Sequence, residues 1–202
     1  MKTCFKTDRI RFLLPLIALS LLVLAGGGCS TTMKVSKVDP KTGHFPTTTQ
    51  LSPGDIKEEK TLDVFEFRQL LYIRSAASPR DEFRDFLKES LVNLEFFESV
   101  KDRREMEAFV VGKGLSDSVG NVTDMIGLNR LQKQIGNFMV ADYSVQWDGS
   151  YWYTFDIALV NPSDGQTVFH ATHRAFNWAG LDKPLFYPVL NAVKDWIEQN
   201  KR

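Results

Sequence analysis

Three consecutive segments, Phe138 to Trp147, Tyr151 to Val160 and Gln166 to Phe176, alternate apolar and polar residues. That period of two commits the end of the chain to strands, and the joints between them make the strands a meander. Asp148-Gly149-Ser150 and Asn161-Pro162-Ser163-Asp164-Gly165 are both turn-forming stretches. The pattern also selects a register. A three-residue first loop sets Trp147 against Tyr151, Val145 against Tyr153, Tyr143 against Phe155, Ala141 against Ile157 and Met139 against Leu159. Every pair on that face is apolar or aromatic, whereas a two-residue loop would set Ala141 against Asp156 and mix the faces. One side of the sheet must therefore be covered.

The covering elements lie on either side of the meander. Thr61 to Ile73 alternates Phe65, Phe67, Leu71 and Ile73 with polar residues and reads as an opening strand. A helix follows from a Ser78 cap and Pro79, with Phe83, Phe86, Leu87, Leu91 and Leu94 on one face. Phe96 to Val100 is extended, Lys101 to Glu107 is charged, Ala108 to Val111 reads as a short strand, and Gly112 to Gly120 as a loop. Met125, Leu128, Leu131 and Ile135 are spaced as a second helix. A last helix begins near Asp182 and Pro184, with Phe186, Val189, Leu190, Val193, Trp196 and Ile197 as its apolar stripe. The expected order is β-α-β-α-β-β-β-α. Its class is α+β: a two-layer sandwich of an antiparallel-rich mixed sheet with helices on one face.

Upstream, the chain changes character. Met1 to Arg11 is basic, Phe12 to Ala25 is apolar, and small residues run from Ala25 to Gly28 ahead of Cys29. This is the layout of a secretory signal, and the apolar run is shorter than the roughly 20 residues a membrane span needs. Gly28-Cys29 resembles the end of the bacterial lipobox, with Gly26 where that motif usually has Leu. The resemblance implies removal of residues 1–28 and acylation of Cys29, and Ser30 in place of Asp implies the outer membrane. Multiple acyl chains make a lasting anchor. Cys4 leaves with the leader, so Cys29 has no disulfide partner, and lipid disposes of a lone thiol. The leader also takes four of the 25 basic and one of the 25 acidic residues, leaving 21 against 24, a net of −3. A mildly acidic chain without a basic block argues against nucleic acid as a partner. Residues 29–60, rich in Thr, Lys, Pro, Gly and Ser, have no apolar period and read as a flexible tether with a solvated His44. Residues 61–202 then form a single domain of ordinary size.

Ile135-Gly136 followed by Val140-Ala141-Asp142-Tyr143, with the turn Asn161 to Val168, resembles a bacterial envelope family. That family contains the amino-terminal domain of TolB, the peptidoglycan-synthase activator LpoB and the curli-secretion lipoprotein CsgG. The resemblance spans about Thr61 to Gln199. It implies a non-catalytic periplasmic module that binds a partner or assembles into a ring.

The residues themselves carry little chemistry. Gly112-Lys113-Gly114-Leu115-Ser116-Asp117 fails both phosphate-loop patterns, and His170 and His173, three apart on a strand, face opposite ways and cannot share a metal. In the register above, and with five residues in the second loop, Asp142, Asp156 and His170 form a row, and Trp152 faces Arg174. Such a row would raise a carboxylate pKa or bind a cation; the plainer reading is that His170 relieves repulsion while Arg174 stacks on Trp152. Trp147, Tyr151, Trp152 and Trp178 make the hairpin end dense in aromatics, which suits a protein partner ahead of a glycan. The expected function is that of an outer-membrane lipoprotein, not an enzyme, needing no cofactor or metal beyond the lipid on Cys29. It would bind or assemble with machinery for cell-wall synthesis or polymer export. A ring subunit of a secretion assembly and a glycan binder are the alternatives.

Overall fold

The structure is a computed structural model that describes residues 33–77, 81–178 and 180–201. Cys29 and the expected helix start at Ser78 and Pro79 lie outside the described residues. The chain runs β1 (Ile56–Glu59), a 3-10 turn (Val64–Phe67), β2 (Leu71–Ala77), α1 (Asp81–Val92), β3 (Val100–Lys101) and α2 (Arg103–Gly112). It continues through α3 (Ser116–Val119), α4 (Met125–Ile135), β4 (Met139–Gly149), β5 (Trp152–Asn161), β6 (Gln166–Phe176), a π-turn (Asp182–Phe186) and α5 (Tyr187–Gln199). One six-stranded sheet has the order β1-β6-β5-β4-β2-β3. β2 lies parallel to β3 and β4, and the remaining pairs are antiparallel. The fold is α+β, as the alternation and helical spacing imply.

The meander is present, but its register is not the expected one. Trp147 opposes Tyr153, Val145 opposes Phe155, Tyr143 opposes Ile157 and Ala141 opposes Leu159. Each β4 residue thus meets a partner two places further on than expected. The cause is the turn. Ser150 and Tyr151 both have positive φ, 45° and 70°, as the central pair of a two-residue hairpin turn requires, and Asp148, between the paired Trp147 and Gly149, is an extra bulged residue. The bulge restores the even count, so the faces are preserved although the partners change. A second irregularity between Leu159 and Val160 shifts the β5–β6 pairing in the same sense, placing Trp152 opposite Phe176 and Asp156 opposite Thr172.

Two apolar clusters sit on opposite sides of the sheet. The larger joins Leu71 and Ile73 of β2, the inward residues of β4 to β6, and the apolar stripes of α1 and α5. The smaller takes the other face of the same strands, at Leu70, Tyr72, Phe138 and Val140, and covers it with Met106, Val110, Leu128 and Leu131 from α2 and α4. The second cover goes beyond the expected single helical layer. It arises because 103–112, expected as a charged stretch and a short strand, is a helix. Asp102 caps it by accepting from the Glu105 N–H, and the Glu105 carboxylate returns the bond to the Asp102 N–H, both at 3.0 Å. The opening strand is also shorter than expected, since Phe65 and Phe67 belong to the 3-10 turn.

The segment expected as a tether is held against the domain from Met33 onward. Phe45 is 2% exposed and stacks on Tyr187 with ring centres 4.7 Å apart. Asn191 grips its backbone twice, accepting from the Phe45 N–H at 2.8 Å and donating to its carbonyl at 3.0 Å. Ser36 donates to the Tyr187 hydroxyl at 2.7 Å, and His44 pairs with Asp195 at 2.7 Å. Ile56–Glu59 then adds a sixth strand against β6. A few isolated anchors and a side-chain clamp do this without any periodic pattern.

Two measurements check this account. Phe45→Ala lowers unfolding free energy by about 3–4 kcal/mol in urea titrations, where a free tether would register no change. Asp102→Ala costs about 1 kcal/mol at neutral pH. Burial would raise the Asp102 carboxyl, but the Glu105 amide and Lys88 outweigh it and hold the pKa low. Its contribution is therefore present above the ordinary carboxylate range, and the wild type's advantage shrinks as pH falls through the lowered pKa.

Candidate functional site

The polar face of the meander does not carry the expected row. Asp142 opposes Ala158, not Asp156, and lies beside Arg74 on β2, whose guanidinium holds it through both Nε–H and an Nη N–H. The remaining Nη1 donates to the Thr123 carbonyl at 2.9 Å. Both side chains are about three-quarters buried, 21% and 26% exposed. The hydrogen bonds that Arg74 gives to Asp142 push the Arg74 pKa further above its already high value. The pair joins two parallel strands; it is a structural clamp with its carboxylate fully engaged.

Asp156 and His170 do meet, although diagonally, with the imidazole Nε2 2.8 Å from the carboxylate. His173, on the other face, sits between the Asp55 carboxylate and the Pro184 carbonyl, each at 3.0 Å. The two histidines are separated as the strand period demands. Among the described residues no group of three or more His, Cys, Asp or Glu side chains is arranged to hold a metal ion. Asp156 is paired with His170 and lies opposite Ser144 of β4 and Thr172 of β6. Pairs of this kind tie neighbouring strands together.

The hairpin end is different. Tyr151, Trp152 and Trp178 converge on Phe176, with ring centres 6.1, 5.2 and 6.3 Å from it. Phe176 is the member that the sequence reading omitted; the register shift brings it opposite Trp152. Trp178 is 87% exposed and Tyr151 68%. Between them and Asn177 is a shallow hollow of about 290 Å³. Arg174 lies over the Trp152 ring at 4.4 Å and donates from Nε to Asp148 at 3.0 Å. The Thr154 hydroxyl and Arg174 together hold the Asp148 carboxyl below its ordinary range. The stacking of Arg174 on Trp152 thus forms, as expected, though along the diagonal. Trp147 stands on the opposite face, across from Tyr153, and does not join this group. Like Trp178 it is largely exposed.

Tyr151, Trp152 and Trp178 thus group around Phe176, with Arg174 held over the Trp152 ring. Rigid, half-dry aromatics are the side chains that give most binding free energy per contact.

No family model matches the chain, and no curated protein matches it. Among solved structures it is similar to the LpoB C-terminal domain from Salmonella enterica, at 14% identity over 55% of this chain and 84% of that one, with a TM-score of 0.36. It is also similar to lipoprotein GNA1162 from Neisseria meningitidis, at 13% identity over 65% and 96%, with a TM-score of 0.36. A PelC dodecamer from Paraburkholderia phytofirmans shows 10% identity over 73% and 96%, with a TM-score of 0.35. Likenesses this distant carry no function from one chain to another.

A double-mutant cycle tests the roles of the acids. Asp142→Asn and Arg74→Met each lower stability by about 2 kcal/mol, and together by clearly less than the sum. Asp156→Asn shifts the urea midpoint little, by an amount equivalent to about 0.5 kcal/mol, and leaves calorimetric titration with zinc or calcium unchanged.

Proposed function

We propose that this chain is a non-catalytic envelope lipoprotein, acylated at Cys29 and held on the periplasmic side of the outer membrane. Its hairpin end docks on a protein partner in the machinery of cell-wall synthesis or polymer export. The observation that carries the reading is the platform of Tyr151, Trp152, Phe176 and Trp178, with two of its rings more than half exposed. A solitary exposed ring is ordinary, but a contiguous group fixed in place is the mark of an interaction surface.

The backbone supports the same view. Tyr151 has φ of 70°, a conformation that favours glycine or asparagine and costs a tyrosine about 1–2 kcal/mol. A hairpin selected for stability alone would carry glycine there. Keeping tyrosine retains a ring at the tip at the expense of the turn, as strained positions at functional sites do. Lipidation rests on the run from Leu24 to Ser30.

The test is photo-crosslinking in cells from a benzophenone side chain at position 178 of the full chain. One discrete protein adduct, lost on Tyr151→Gly, is the expected result. Tyr151→Gly should meanwhile raise the unfolding free energy by about 1 kcal/mol, separating docking from stability. Adducts only with further copies of the chain would point to ring assembly, and adducts only with glycan strands would remove the protein partner. Labelled palmitate should enter the wild type and not Cys29→Ser.

A further inference from the structure

The segment strapped across α5 limits how far the domain can stand from an anchor at Cys29. Residues from Met33 onward are held to the domain, and only Ser30, Thr31 and Thr32 separate Met33 from Cys29. Four chain steps cover at most about 14 Å even when fully extended. On the lipidation reading, which is the premise here, the domain surface around Met33 therefore lies close to the headgroups of the bilayer.

That surface has a buried side and a charged side. Met33, Val35 and Val38 pack against the larger cluster, while Lys34 and Lys37 between them are exposed. Ser36 is fixed by the bond from its N–H to the Tyr187 hydroxyl. The chain then turns at Asp39, which accepts from the Gly43 N–H at 2.7 Å and donates to the His44 carbonyl at 2.8 Å. Lys41 is exposed at the tip of this turn. Residues 33–45 thus carry three exposed lysines against one aspartate. Among the described residues none of the three ammonium groups is paired with a carboxylate. Asp39, the one acid of the segment, is turned onto the Lys41 backbone N–H at 2.7 Å. On α5 beneath, Asp195 holds His44, and Glu198 holds Lys194 and Lys201.

We propose that the strap is the membrane-facing surface of the domain, with Lys34, Lys37 and Lys41 set against the phosphates of anionic phospholipid headgroups. The acyl chains keep the protein on the bilayer, and the lysines fix which side of the domain faces it. This orientation leaves the aromatic platform free. Tyr153 and Phe155 face the cluster that α5 and the strap cover, so Trp152 between the turn and Tyr153 looks to the other face of the sheet. Membrane contact and partner contact use different faces.

The experiment uses the full acylated chain in vesicles of phosphatidylethanolamine and phosphatidylglycerol. With Cys4 removed and Cys29 acylated, Lys37→Cys or Lys133→Cys supplies one thiol for a fluorescent label. Lys133 is exposed on α4, which covers the opposite face of the sheet. Lipid carrying a headgroup nitroxide should quench the label at position 37 about fourfold more than at position 133. Adding Lys34→Gln and Lys41→Gln, or replacing the anionic lipid by phosphatidylcholine, should remove about half of that difference, the short tether keeping the rest. Both lysines are exposed and unpaired, so the urea midpoint of that variant stays unchanged. Equal quenching at both positions, with the chain retained on vesicles in flotation, overturns the proposal and leaves the anchor standing. Loss of the chain from vesicles removes the anchor at Cys29 and the proposal with it. Quenching at position 37 that ignores both the lysine changes and the lipid charge overturns headgroup pairing. Weak quenching there that strengthens as the chain is diluted in the bilayer assigns the face to a second copy, and overturns the proposal as well.

Discussion

Phe186 is where the architecture is tied together. It is fully buried at the end of the π-turn, with Phe155 of β5 at 4.7 Å, and Phe86 and Phe83 of α1 at 5.1 and 5.7 Å. From it the contact passes through Phe86 to Tyr187 of α5 and on to Phe45 in the amino-terminal segment. Sheet, both helices of the main layer and the strap across α5 therefore meet in one continuous run of rings. Edge and face geometry, in addition to buried area, fixes how these elements sit. Removing any one ring would loosen several elements together.

What could be read from residues alone followed from periodicity. The alternation in 138–176 identified strands and faces, and the stripes of Phe83 to Leu91 and Val189 to Ile197 identified the helices that cover them. Periodicity is blind to an inserted residue. The turn and bulge at Asp148–Gly149 moved every β4–β5 partner by two places without disturbing a face, and so took Asp142 out of the expected row with Asp156 and His170. It is also blind to single anchors, which is why Phe45 and its Asn191 clamp turned an expected tether into part of the domain. The charges of 103–107 concealed a capping box, and with it the second helical cover.

The same division holds for the surfaces. Tyr151, Trp152 and Trp178 were visible because aromatic residues at a turn are conspicuous. Their centre, Phe176, depended on the true register. Arg74 lies 68 residues from Asp142, and no local spacing announces such a pair.

The pairing of β2 with β4 has a consequence for how the chain reaches this state. β4, β5 and β6 are joined by short turns and can associate early, whereas β2 must wait for the whole intervening crossover before its loop closes. Until then, one edge of β4 is unpaired and both its faces, Ala141 on one side and Val140 on the other, are bare. A strand with an apolar face and an open edge is a template for another chain. The interval before β2 arrives is thus the period in which assembly competes with aggregation, and the long crossover sets its length.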